Sequence, residues 1–179
     1  MKKNTFTFLS LASLLLLLAM VISCKKDHEV KKENNEKYQW IAGTWKQQDL
    51  QLGVTAELGG QTIPEGTSMI ALAPLIGQAL GSPEIAQAIL CTKDNTYTFN
   101  SDSTFSITGC TTLILPNAGN SGKWKLTVFQ AVLQLTSQDG NNDPHWINDI
   151  TDSTLNLSLT VHIPGVGDAP LNLLLEKQP

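Results

Sequence analysis

The chain has 179 residues, with 12 lysines, no arginine and 16 acidic residues, for a formal net charge of −4. Residues 38–179 keep five of the lysines and twelve of the acids, a balance of −7. That leaves no basic face to neutralise phosphate, which excludes a nucleic-acid binder and disfavours direct adhesion to anionic headgroups. Without guanidinium groups, any bidentate carboxylate or phosphate site is also weakened.

Lys2 and Lys3 precede an almost wholly apolar run from Leu11 to Ile22. A bilayer span needs about 20 such residues, so the run is too short to cross and suits the apolar region of a secretory signal over residues 1–23. Val21-Ile22-Ser23-Cys24 resembles a bacterial lipobox, which implies that Cys24 is lipidated and becomes the mature N-terminus. An uncleaved anchor and a plain signal peptide with an incidental cysteine are the alternatives. Residues 25–37 hold five lysines and four acids with almost no apolar content. Such a stretch buries too little to fold, so 24–37 is expected to be a flexible tether. Lys25–Glu29 vaguely resembles the signal that exports some Bacteroidota lipoproteins to the cell surface. Display there and retention facing the periplasm both stay open.

Residues 38–179 suit one domain with a real core. Its opening strand is expected near 41–52. From Thr67 to Leu90 the chain is rich in Ala, Leu and Ile. Ser82-Pro83-Glu84 reads as a helix start, with Ser as N-cap and Pro at the first helical position. Met69–Leu80 reads as a preceding short helix, strained or broken at Pro74 and ended by Gly81. A helical insert over 67–90 is therefore expected between strands one and two.

Tyr97 and Phe99 alternate with Thr and Asn, as do Phe105 and Ile107, and Asn100–Ser103 supplies turn residues between them. The pattern is a β-hairpin. With Cys24 lipidated, Cys91 and Cys110 remain, and an oxidising compartment favours pairing them. Positions 91 and 110 sum to 201, as do 97 and 104, so one hairpin register sets the cysteines opposite each other. Two buried free thiols are the alternative. Period-2 alternation continues through Lys123–Val128, Ala131–Thr136, a strand with Trp146 and Ile150 on one parity, Thr154–Val161 and Leu171–Leu175. Turns are expected at Asn117–Gly122, Phe129-Gln130, Ser137–Asp143, Thr151–Ser153 and Pro164–Pro170. The sum is about eight short antiparallel strands, each with one apolar and one polar face, closing into an up-and-down barrel or a sandwich.

Gly43-Thr44-Trp45 resembles the Gly-X-Trp of the lipocalin first strand. With "TKDNTYTFNSDSTF", "SGKWKL" and "WINDITDSTLNLSL", it resembles the lipocalin-like domains of Bacteroidota lipoproteins, mostly of unassigned function. Those commonly carry a Cys on each side of the hairpin. The resemblance implies an all-β, eight-stranded antiparallel up-and-down barrel holding a small hydrophobic ligand, on a protein anchored to the outer membrane through Cys24. The lipocalin Thr-Asp-Tyr motif and late arginine are absent. Trp45, Tyr97, Phe99, Phe105 and Trp124 are the candidate interior residues, serving either as ligand-lining groups or as packed core. The second reading is a filled barrel that contacts a protein or a glycan; a protein partner is unknown.

Catalysis, cofactors and metals find no support in the motifs. His28, His145 and His162 are scattered. "AGNSGKW" has Asn117 where a phosphate loop needs its first Gly. "DGNND" spaces Asp139, Asn141 and Asp143 as a calcium loop does, but Pro144 replaces the Gly and Ile150 the final Glu.

Overall fold

The computed structural model describes residues 30–110, 119–163 and 167–179, with side chains from residue 36 onward. The expected signal segment, Cys24 and the tether up to residue 29 lie outside the described residues. So do 111–118 and 164–166, which fall partly in expected turns. The chain divides into two units, Met1–Glu36 and Lys37–Pro179. What is described of the first is the start of helix α1 (Val30–Ile41).

The second unit is a closed barrel. Its strands are β1 (Gly43–Leu52), β4 (Thr96–Phe99), β5 (Thr104–Thr108), β6 (Ser121–Thr127), β7 (Val132–Ser137), β8 (Asn142–Ile150), β9 (Thr154–Ile163) and β10 (Gly167–Lys177). They close antiparallel in the order β1-β10-β9-β8-β7-β6-β5-β4, and β1 meets β4 again. Closure follows from the period-2 pattern: Leu155, Leu157, Leu159, Val161 and Ile163 are all buried on one face of β9, as are Leu171, Leu173 and Leu175 on β10. All the buried apolar residues but Val132 form one core cluster.

Between β1 and β4 the chain leaves the barrel. A small separate sheet, β2 (Ala56–Leu58) with β3 (Gln61–Ile63), comes first. Helices α2 (Met69–Leu80) and α3 (Pro83–Thr92) follow. The insert thus begins earlier than expected and carries two strands besides its helices. Helix α2 runs unbroken through Pro74, whose ring removes only the bond to the carbonyl of Ile70. Ser68 Oγ accepts from the Ala71 amide, and Gly81 in the left-handed region (φ 61°) caps the far end. Helices α2 and α3 touch at Gly77, where a Cβ would come within 2.8 Å of the Ala86 methyl.

Three expectations are corrected. First, α1 begins at Val30, inside the stretch expected to be unstructured through residue 37. At its C-terminus the helix gains two caps: Trp45 Nε1 donates to the Ile41 carbonyl (2.7 Å) and Lys177 Nζ to that of Trp40 (2.7 Å).

Second, the β4–β5 hairpin pairs Tyr97 with Ile107 and Phe99 with Phe105, not 97 with 104. An odd-sum register would set Tyr97 against Thr104 and turn one apolar set outward. The loop is longer than a two-residue turn: Ser103 donates to the Asn100 carbonyl (3.0 Å) and takes a left-handed φ of 68°. Cys91 and Cys110 do pair, with Cα atoms 5.7 Å apart, but they do not face each other across the hairpin. Cys91 lies in the last turn of α3, so the disulfide ties the insert to the end of β5.

Third, Trp146 is 56% exposed, and the inward residues of β8 are His145 and Ile147 together with the expected Ile150. A bulge between Ile147 and Asp149 absorbs Asn148, so Ile147 faces Leu157 and Ile150 faces Leu155.

The β6–β7 turn breaks a local rule. Ala131 donates to the Val128 carbonyl (3.0 Å) around Phe129 and Gln130, both with positive φ (53° and 65°), and Val128 is at 50°. Such primed turns favour Asn and Gly, and a left-handed non-glycine costs about 1–2 kcal/mol. Here none of the three is Gly or Asn, and Phe129 is fully exposed.

Candidate functional site

The two ends of the barrel differ. At the base, where α1 enters β1, aromatic rings fill the interior. Trp124 stacks on Tyr38 (centroids 4.2 Å) and meets Phe99 edge-on (5.9 Å). Tyr38 Oη and Ser103 Oγ share a hydrogen bond. Trp124 Nε1 donates to the Asn100 carbonyl (3.0 Å), and the Lys177 ammonium lies 5.1 Å from the Trp45 ring centroid. Burial draws the Lys177 pKa below its ordinary value, and Asp152 opposes that shift.

Higher in the barrel lies a buried polar chain. Gln47 Nε2 donates to Thr92 Oγ1 (3.2 Å), Tyr97 Oη to Gln47 Oε1 (3.3 Å), and Asn95 Nδ2 to Tyr97 Oη (3.5 Å). Asn95 also pairs both ways with the Cys110 peptide, at 2.7 and 2.9 Å. Desolvation pushes the Tyr97 phenol well above its usual range, and it stays neutral. Each member has a partner, so the chain fixes β1, β4 and the disulfide relative to one another.

The mouth holds an apolar cavity of about 80 Å³. The ends of β1 and β9 supply Leu52 and Ile163, β3 supplies Ile63, and α2 supplies Met69, Leu72 and Ile76. Glu57 is the charged group on its lining. Helix α2 is pinned as a lid at its start, where Ser68 Oγ donates to Asp49 Oδ1 (2.6 Å). Beyond its end, α3 is held by the Cys91–Cys110 bond. A wider, more open groove of about 510 Å³ runs over β5, β6 and β7 and is lined by Phe105, Lys123, Thr136 and Gln138 among others.

Trp45, Tyr97, Phe99, Phe105 and Trp124 all lie in the core, each at most 2% exposed. Of the five, Phe105 alone lines either of these two cavities. The sequence pointed to the insert and to a ligand-holding barrel but to none of the residues that line this cavity, because apolar helix positions look alike whether they pack or line a void. Sequence reasoning also passed over His145, which is 2% exposed. Neither ring nitrogen makes a hydrogen bond, and Nε2 stands 3.7 Å from Asp143 Oδ1. Desolvation lowers its pKa to about 4, so the ring is neutral at pH 7. Among the described residues no three His, Cys, Asp or Glu side chains converge on a metal-sized point.

No protein-family model matches this chain, and no curated protein does.

Proposed function

We propose that the chain is a non-enzymatic envelope lipoprotein with a lipocalin-like barrel, tied to the outer membrane through Cys24, that holds a small hydrophobic molecule beneath α2. The observation that supports this reading is the apolar cavity between the barrel mouth and the lid. Dry cavities lined by aliphatic side chains accept apolar guests, and one of about 150 Å³ takes benzene. At about 80 Å³ this one is about half that size, with room as it stands for no more than the tip of an acyl chain. A longer ligand requires α2 to shift outward, and flexible Met69 suits that repacking.

The packed base favours a second reading, in which the barrel is a filled scaffold that presents its loops to a protein or a glycan. Native mass spectrometry of the purified full chain, with solvent extraction alongside, separates the two. A stoichiometric apolar adduct that is lost in Ile76→Trp supports the carrier. A bare mass with no uptake of fluorescent fatty acids leaves the filled scaffold. The anchor is tested separately: Cys24→Ala should release the protein from membrane fractions.

A further inference from the structure

We infer that the base of the barrel is a second membrane contact, with the β6–β7 turn inserting Phe129 into the lipid surface to which the chain is anchored. The inference rests on the anchor proposed above. Phe129 stands fully exposed at the tip, beside Val128 at 55%. Trp146 on β8, paired with Val132 on β7, adds an exposed indole on the adjoining outer face. Lys123 and Lys125, two of the five lysines in residues 38–179, lie on the outer side of β6.

The position of this patch names its occupant. Strand β1 starts at the base, where Gly43 pairs with Phe99. Strands β4 and β6 both run toward that end, so the β4–β5 and β6–β7 turns flank the point where Lys37–Ile41 enters the barrel. Twelve residues lie between Cys24 and Lys37, and with the chain helical from Val30 they reach about 30 Å. An acyl chain on Cys24 therefore keeps this end of the barrel close to the lipid. Phe and Trp favour the interface, where an apolar ring meets headgroups. Asp102 and Asp152 sit in the neighbouring turns, and residues 38–179 are acidic overall, so apolar insertion drives the contact rather than charge. The left-handed turn fits the same role, because it holds Phe129 away from the barrel wall where glycine would present nothing. The lid then faces away from the membrane.

The test uses the full lipidated chain in vesicles of phosphatidylethanolamine with phosphatidylglycerol as the minority lipid. Cys24 is acylated and Cys91 and Cys110 are paired, so Val128→Cys provides a free thiol for an environment-sensitive fluorophore. Gln138→Cys reports the mouth. The expected result is quenching by doxyl-labelled lipid that is severalfold stronger at position 128 than at 138, and that Phe129→Asp abolishes. Equal and weak quenching at both positions, with the chain still floating with the vesicles, overturns the docking and leaves the anchor standing. A chain that does not float overturns both. Shielding of position 128 from aqueous iodide without quenching by lipid marks a second copy or a protein partner, and also overturns it.

Discussion

The base and the mouth of this barrel solve the same problem with different residues. The base is closed by rings: Trp45, Trp124, Tyr38 and Phe99, with their polar tips bonded to backbone or to Ser103. Rings have few rotamers, and a bonded indole has one place to sit, so the base is fixed in shape. The mouth is closed by Leu52, Ile63, Met69, Leu72 and Ile76, whose side chains leave a void and have no polar group to bond. Aliphatic chains repack at little cost, and the lid they hold is a separate element fastened at its edges. A rigid floor under an adaptable roof puts fixed shape and room to repack at opposite ends of one strand set.

The contrast can be broken most severely at the floor. Trp45→Ala removes a fully buried indole and its bond to Ile41, and should cost about 3–5 kcal/mol. In thermal melts that is a fall of roughly 10–20 °C. Next comes the strap on the roof. Replacing Cys91 and Cys110 together with Ser opens a loop of 19 residues' separation and should cost about 3 kcal/mol. Hydrogen exchange should then accelerate in α3 before it does in β9 and β10. If all three exchange alike, the roof is not a separate element.

A smaller effect comes from pH. The folded pKa of His145, about 4, lies below its ordinary 6.5, so the unfolded chain binds the extra proton as pH falls. Stability is complete above pH 6.5 and declines toward pH 4, by about 1.5 kcal/mol between pH 6.5 and 5. His145→Leu should flatten that part of the denaturant-midpoint profile, and an unchanged slope would discount the buried imidazole. The smallest effect on stability is expected from Ile76→Trp, within about 1.5 kcal/mol, because the ring fills an existing void. Its signature is lost ligand uptake with the melt nearly unchanged.

Much of the barrel was legible because period-2 alternation is a local property. The long strands β9 and β10 announce themselves with five and three inward aliphatics in strict register. Where the period was interrupted, reading failed. Asn148 is swallowed by the bulge, which turns Trp146 outward against the simple parity. The β4–β5 register was within reach, since Tyr97 against Thr104 violates the alternation that identified both strands. Helix α1 was hidden by its charge, because its order depends on Tyr38, Ile41 and two caps supplied from strands at opposite ends of the barrel's sequence. The lid cavity and the lone histidine were out of reach: a void and a missing hydrogen bond are facts of three-dimensional packing, with no signature in residue order.

The seam between β1 and β10 carries a consequence for how the molecule comes to exist. The strand that starts the barrel has the last strand as a neighbour, with Trp45 opposite Lys177. One whole edge of β1 must wait, unpaired, until nearly the entire chain is present. Contacts that join the two ends of a sequence make folding slow, because loop closure comes before reward. A truncation of only the final strand should therefore do more than weaken the barrel: it leaves two open edges, on β1 and β9, each a template for pairing with another chain.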